Sequence, residues 1–421
     1  MQSLTWHALS AVLLAMFAIT VGYGIVLPIL PFLIERLAGT TDATTQSWHT
    51  GLLTGTYILA IFLFAPLWGK LSDRWERRPV LLLGLTGFAA TVALFSFAES
   101  LPLLYLDRFL GGVFAAAITP VAYALVGDYA PSKEWRAHRF ALINVAGTAG
   151  FFVGPLLGGL VLRAGRELFA GTPEGAFSTP LLAASSLAVL AALAVWGLVP
   201  RTARHEASQL SSTEKRRDQP VMVRLWGIAF VTAVAIGAFE VGLSLRGKQI
   251  LGMDASRIGM MFAECSLVMF VVQALVFSPL IKPEVTRWFV TPGLAILAIG
   301  LVVVPFTSTS ITMSIAVVLV AASAGILSPI VTYWISLGAG ETQGADLGRA
   351  TAAASLGQAI GSAAGGLLFD LPILPGAAFT VTAIVVLVGL GASVGLPRLV
   401  MSPQTAVRPK VAEPPCALRG P

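Results

Sequence analysis

A carboxylate in an apolar run is chemistry waiting for a proton. Glu240 sits in Ala-Ile-Gly-Ala-Phe-Glu-Val-Gly-Leu-Ser-Leu, and Glu264 lies early in the next apolar run. Protonated, such a glutamate is neutral and tolerable in hydrocarbon; deprotonated, it demands water or a cation. That difference can couple proton flow to a change of shape. Counted from the turn between them, both acids lie on the order of 10 Å in, at about 1.5 Å rise per helical residue, deep enough to share protons. Asp107-Arg108 places a second charged pair near the start of another apolar run. A cation there is costly unless paired or wetted. Adjacent residues diverge by about 100° around a helix, so Asp107 is an ambiguous partner for Arg108. Proton coupling is therefore assigned first to Glu240 and Glu264.

The elements that must hold these residues are membrane spans. The 421 residues are 56% hydrophobic and 11% charged, too few charges to cover a water-soluble surface. Spans are expected near 8–34, 50–69, 79–99, 101–128, 139–163, 178–199, 224–246, 257–281, 288–307, 310–338, 347–369 and 373–396, making an all-α membrane protein of twelve helices. With the N-terminus inside, six cations (Arg36, Arg163, Arg166, Arg246, Lys248, Arg257) fall outside and Arg108 within a span; the other 20 fall on inner loops and tails. The positive-inside rule then puts both termini in the cytoplasm. The polar stretch 200–223 reads as a cytoplasmic linker between six-span halves, 1–199 and 224–397, and the Pro-rich 398–421 as a disordered tail. The +6 charge is explained by this topology rather than by nucleic acid. Cys265 and Cys416 suggest neither a disulfide framework nor a zinc site, and the four histidines form no metal cluster. No Walker loop, nucleophile–base pair or cofactor motif appears, so no enzyme is expected. The apolar run at the N-terminus suits an uncleaved first span.

The halves repeat. Pro66-Leu67 recurs as Pro279-Leu280, and Arg74-Trp75 as Arg287-Trp288. Gly150, Gly154 and Gly158-Gly159 recur as Gly357, Gly361 and Gly365-Gly366. Thr119-Pro120 is echoed by Ser328-Pro329. Such repeats predict two bundles that rock about a site near the midplane. Glycine every fourth residue leaves a smooth stripe for close helix contact, here Gly147, Gly150, Gly154 and Gly158 with Pro155 breaking the backbone pattern.

Four strings resemble one family. Gly69-Lys-Leu-Ser-Asp73-Arg74-Trp-Glu-Arg77-Arg78 resembles the loop after the second helix of the major facilitator superfamily. Asp107-Arg108 followed by Gly111-Gly112 resembles its fourth-helix element, in which the arginine assists proton coupling, so the resemblance adds Arg108, with Asp107, to the coupling set. Gly147 to Gly159 resembles the antiporter motif of its twelve-helix drug/proton exporters. The first span, Gly22-Tyr23-Gly24 to Pro28 and Pro31, is similar to that of the tetracycline/proton antiporters, though Ile19 stands where some of those carry an aspartate. That departure turns attention to Arg108, Asp128, Glu240 and Glu264. The resemblance implies a two-bundle fold and alternating access. It also implies a latch of Gly69, Asp73, Arg74, Arg77, Arg78 and Asp128, with Asp73 reaching the start of span 11 and Arg349, or Arg136, as further partners. The antiporter motif it implies is Gly147, Gly150, Gly154, Pro155, Gly158 and Gly159.

The expected function is proton-coupled export of a small amphipathic compound by a monomer in the inner membrane, driven by the proton gradient with no cofactor. A metabolite, sugar or siderophore transporter, working even by symport, is the first alternative; a non-transporting receptor on the same fold is the second. Tyr23, Tyr57, Tyr123, Phe239, Gln273, Tyr333, Trp334 and Gln358 are candidate substrate contacts.

Overall fold

The computed structural model describes residues 4–39, 42–130, 133–168, 173–201, 219–276, 283–338, 343–371, 374 and 376–396. Residues 202–218 of the expected linker, and the whole of the expected tail, lie outside them. The described residues are helical throughout, with no strand among them: α1 (Trp6–Ala38), α2 (Ala43–Trp75), α3 (Arg77–Phe95), α4 (Leu101–Ala115), α5 (Ile118–Asp128), α6 (Lys133–Leu168), α7 (Pro173–Leu198), α8 (Gln219–Gln249), α9 (Ala255–Val276), α10 (Val290–Val303), α11 (Ser310–Gly338), α12 (Gln343–Leu367) and α13 (Ala377–Ser393). Two 3-10 turns, Pro283–Phe289 and Val304–Phe306, bracket α10.

The expected fourth span is two helices. Pro120 brings no N–H and its ring crowds the carbonyl of Ala116, so α4 ends at Ala115 and α5 restarts at Ile118. The second span begins earlier than hydropathy alone suggests. Asp42 caps α2 by accepting from the Thr45 backbone N–H at 2.8 Å. Hydrogen bonds from the Thr45 hydroxyl and backbone N–H hold the Asp42 carboxyl below its ordinary range. A single residue separates α2 from α3: Glu76, at φ 105° and ψ 152°. That region is all but reserved for glycine.

Ten helical stretches among the described residues are long and apolar enough to cross a bilayer. The other two expected spans are α12 and α13. α13 has 17 residues. α12 is rich in Gly, Ala and Ser, and it packs chiefly on α8 and α2; facing protein rather than lipid, it needs little hydropathy. Large apolar side chains point outward elsewhere, among them Leu94, Phe306 and Val388 at 62%, 80% and 69% exposure. Water would penalise such a belt and hydrocarbon does not.

Buried apolar residues form two clusters. One runs from Leu4 to Val199 and admits Ala359; the other runs from Met222 to Leu396 and admits Leu27. Their internal packing repeats. A Cβ on Gly150, Gly154 or Gly158 would meet Phe17, Val21 or Ile25 of α1; one on Gly357, Gly361 or Gly365 would meet Phe230, Val234 or Ala238 of α8. The α8 partners lie 213 residues after their α1 counterparts, and the glycines 207 after theirs. The same helix pair has thus been built twice, around the same glycine register.

Candidate functional site

The glycine stripes set α1 against α6 and α8 against α12, and this places one polar knot between the clusters. Tyr23 of α1 donates its hydroxyl to Glu240 Oε2 of α8 at 2.8 Å. Gln358 of α12 donates its amide to the same oxygen at 3.2 Å. Glu240 is 6% exposed. The Tyr23 ring stacks on Tyr57 of α2, centroids 5.4 Å apart, and on Phe151 of α6 at 5.9 Å. Arg108 of α4 lays its guanidinium 4.3 Å from the centre of the Tyr57 ring. A chain of contacts therefore runs from a buried cation through two tyrosines to a buried carboxylate.

Of the expected substrate contacts, the structure brings Tyr23, Tyr57 and Gln358 to this knot. Phe239 is buried in the second cluster, next in sequence to Glu240. Tyr123 lies apart, donating to Asn144 at 2.8 Å. Tyr333 packs edge-on against Trp334, whose indole N–H donates to Thr286 at 3.1 Å. Gln273 is half-buried on α9. The two glutamates expected to share protons are not hydrogen-bonded to each other. Glu264 instead accepts from Ser314 of α11 at 2.8 Å, because its helix face turns toward α11. Asp107, also buried, makes no ion pair with Arg108 among the described residues.

At the α2–α3 end, Arg77 is the hub. It donates to Asp73 at 2.5 Å, to Asp128 at 2.9 Å and to Ser72 at 2.7 Å. Arg78 donates to the Trp196 carbonyl, and Arg74 is exposed. Asp73 was expected to meet the start of α12, with Arg349 or Arg136 as partners; here its carboxylate bonds Arg77 one turn away, and Arg349 lies over Trp226. A Cβ on Gly69 would meet nothing. The antiporter-motif residues sit in α6: Gly150 and Gly154 lie tightly on α1, Gly158 at ordinary distance, Gly147 more loosely, and Pro155 against Gly24. Gly159 follows in the same helix.

The α1–α2 end is tied shut by residues the sequence did not single out. Lys248 of α8 bonds Glu35 at 2.6 Å, Gln46 at 2.8 Å and the Pro31 carbonyl at 2.7 Å. Gln249 donates to Ser47 at 3.1 Å, and Ser47 donates to Asp370. Beneath them a Cβ on Gly51 would lie 2.6 Å from the Gly366 Cα. The one available signal was Lys248 itself, a cation on the side where few were expected. Phe151 was hidden inside the glycine stripe. Beside α8, α11 and α12 lies a cavity of about 270 Å³ lined by Thr232, Ser328, Thr332, Thr351, Ser355 and Gln358 among alanines and branched aliphatics. No cluster of His, Cys, Asp and Glu suited to a metal occurs among the described residues.

Residues 12–366 match the family described as the Major Facilitator Superfamily. Multidrug resistance protein 2 of Bacillus subtilis is 29% identical over 388 residues, 89% of this chain and 91% of its own. The class C tetracycline resistance protein of Escherichia coli is 28% identical over 327 residues, 75% of this chain and 78% of its own. The crystal structure of a bacterial homolog of the human lysosomal transporter Spinster, inward-facing and occupied, superposes with a TM-score of 0.71 at 16% identity, over 93% of this chain and 96% of that one.

Proposed function

The chain belongs to the Major Facilitator Superfamily, and on that premise we propose that this multi-pass transporter is a monomeric antiporter that exports a small amphipathic compound in exchange for protons. The observation that carries the reading is the bond from Tyr23 to Glu240. It joins the two clusters through one ionisable group, so the state of that group bears on how the clusters meet. As a carboxylate, Glu240 accepts from Tyr23 and Gln358 together. When a proton occupies the carboxyl, its acceptor strength falls and the bridge between the halves weakens. A cargo reaching the same tyrosines competes for that bridge. Protons and cargo then exclude one another at one place, which is what exchange requires. The relatives named above are multidrug and tetracycline resistance proteins, which supports a drug-like cargo.

We place the protein in the inner membrane with Lys70, Arg74, Arg77 and Arg78 in the cytoplasm, by the positive-inside rule. In that orientation the Lys248 and Ser47 ties close the outer end, and the hydroxyl-lined wall of α8, α11 and α12 faces the cytoplasmic half. The Arg77–Asp73–Asp128 cluster acts as the latch of the opposite conformation, freed here to pair within its own half. Everted vesicles test the reading. Adding a transported compound should dissipate a preformed proton gradient in vesicles carrying the wild-type chain, and should not do so with Glu240→Gln, which inserts normally. Undiminished exchange by that variant would defeat the assignment.

A further inference from the structure

The second half holds a cavity of its own. Every residue lining its volume of about 270 Å³ belongs to α8, α11 or α12, so the first half takes no part in it. The lining has no charged side chain and no aromatic ring; alanines and branched aliphatics are interrupted by hydroxyls and one amide. Those hydroxyls are not equivalent. At the rim, exposed Thr332 and Thr351 give their protons to the carbonyls of Ser328 and Leu347, at 2.9 and 3.0 Å. A hydroxyl whose proton is spent offers only lone pairs to what lies beside it. On the floor, Thr232 is 3% exposed and its Oγ1 has no hydrogen-bond partner. A buried hydroxyl left this way is costly. The Gln358 amide completes the lining and is the one member shared with the knot, where it donates to Glu240 at 3.2 Å.

We propose that this cavity is a binding site for the cargo, and that it takes an uncharged ring system bearing N–H or O–H donors and a carbonyl, as in a cyclic urea, lactam or imide. The donors go to Thr332 and Thr351, which can only accept. The carbonyl goes to Thr232, which gains the partner it lacks. A full charge would find no counter-ion in the lining and would lose its hydration. The size agrees: a cavity of about 150 Å³ takes up benzene, so this one has room for two fused rings. Cargo held here lies against the amide that serves Glu240, and its arrival reaches the proton site through Gln358. Thr232 precedes Glu240 by eight residues, about 12 Å along α8 at about 1.5 Å rise per residue. It sets specificity at a distance from the acid.

This rests on the exchange reading above, and binding measured without a proton gradient separates the two. Purified full-length protein in detergent is titrated with three bicyclic probes of similar shape. They are 2-benzimidazolinone, with two N–H donors and a carbonyl; its 1,3-dimethyl derivative, with the carbonyl alone; and the 1,3-dimethylbenzimidazolium cation, with neither. Wild type should bind them in that order, with about fivefold or more between the first two, the range of a neutral hydrogen bond. Thr232→Val should weaken both carbonyl probes by about fivefold and leave their ratio as it was. Thr332→Val combined with Thr351→Val should instead bring that ratio toward one; lying at the rim, this double variant serves also if Thr232→Val does not fold. Equal binding of the first two probes by wild type would overturn the proposal, as would tighter binding of the cation, a ratio that survives in the double variant, or wild-type affinities in Thr232→Val. Binding in the expected order without proton exchange in vesicles would overturn the export reading alone. Proton exchange against the cation, with no preference for the cyclic urea, would overturn this proposal alone.

Discussion

A single hydroxyl ties the two clusters to the acid between them. Tyr23→Phe removes the bond to Glu240 and keeps the ring on Tyr57, whereas Tyr23→Leu removes both. Hydrogen bonds to charged groups are worth about 1.5–3 kcal/mol, so proton-driven transport should fall by about tenfold in Tyr23→Phe and further in Tyr23→Leu. Vesicle assays at matched expression measure the ladder; equal rates in Tyr23→Phe and wild type would remove the hydroxyl from the mechanism. Glu240, Arg108, Tyr23, Tyr57 and Gln358 could all be named from the sequence because each is a polar or aromatic exception in an apolar run. Which of the listed aromatics converge could not be read there. Tyr123, Tyr333 and Trp334 have the same local character as Tyr23, and Pro28 and Pro31 in α1 and Pro329 in α11 upset the helical phase that would tell them apart. That Glu264 bonds Ser314 rather than lying beside Glu240 was hidden for a related reason: depth along a helix is legible in sequence while facing direction is not.

Helices here are positioned by what they lack. A Cβ on Gly361 would fall 2.1 Å from the Val234 carbonyl oxygen, and one on Gly154 would fall 2.6 Å from that of Val21. Gly154→Ala and Gly361→Ala should each lower stability by about 1–3 kcal/mol, as overpacking does, seen as a lower melting temperature in detergent. Gly227→Ala and Gly391→Ala enter open space in helices and should be neutral or stabilising, since alanine is the better helix former. If all four behaved alike, the stripes would carry no positional meaning. The turn between α2 and α3 offers the converse test. Glu76→Gly relieves a backbone that disfavours side chains and should raise stability by about 1 kcal/mol; a loss would show that the Glu76 side chain contributes more than its strained backbone costs. The glycine repeat was visible in the sequence because its period is a helix period. The break at Ala116 needed Pro120 to be weighed against four residues upstream, and the shape of the Glu76 turn has no sequence signature, glutamate being an unusual occupant.

At the scale of the molecule, closure is uneven. Hydrogen bonds crossing between the clusters run from the Tyr23–Glu240 knot toward the α1–α2 end, where Ser47 meets Asp370 and Gly51 lies on Gly366. Paired cysteines at Ser47 and Asp370 should cross-link under mild oxidation, abolish transport and release it again on reduction. Neither single cysteine should do so, which also controls for buried Cys265. Transport that continues through a complete cross-link would mean that the halves do not part at this end. The duplicated architecture was legible from paired motifs such as Gly150 and Gly357, which pack alike on α1 and α8. Its asymmetry was not, because which end is shut depends on contacts between helices far apart in the chain, such as Lys248 with Glu35.

Those ties are made of an ammonium, two carboxylates, amides and hydroxyls over bare backbone, with the Phe32 ring 4.9 Å from the ammonium. A door built this way loses little when water enters, since each broken contact is replaced by hydration. Its ionic bolt is shielded by dissolved electrolyte. The fraction of molecules standing open at that mouth should therefore climb with the salinity of the compartment it faces, making the transporter's resting posture a readout of its surroundings as well as of its cargo.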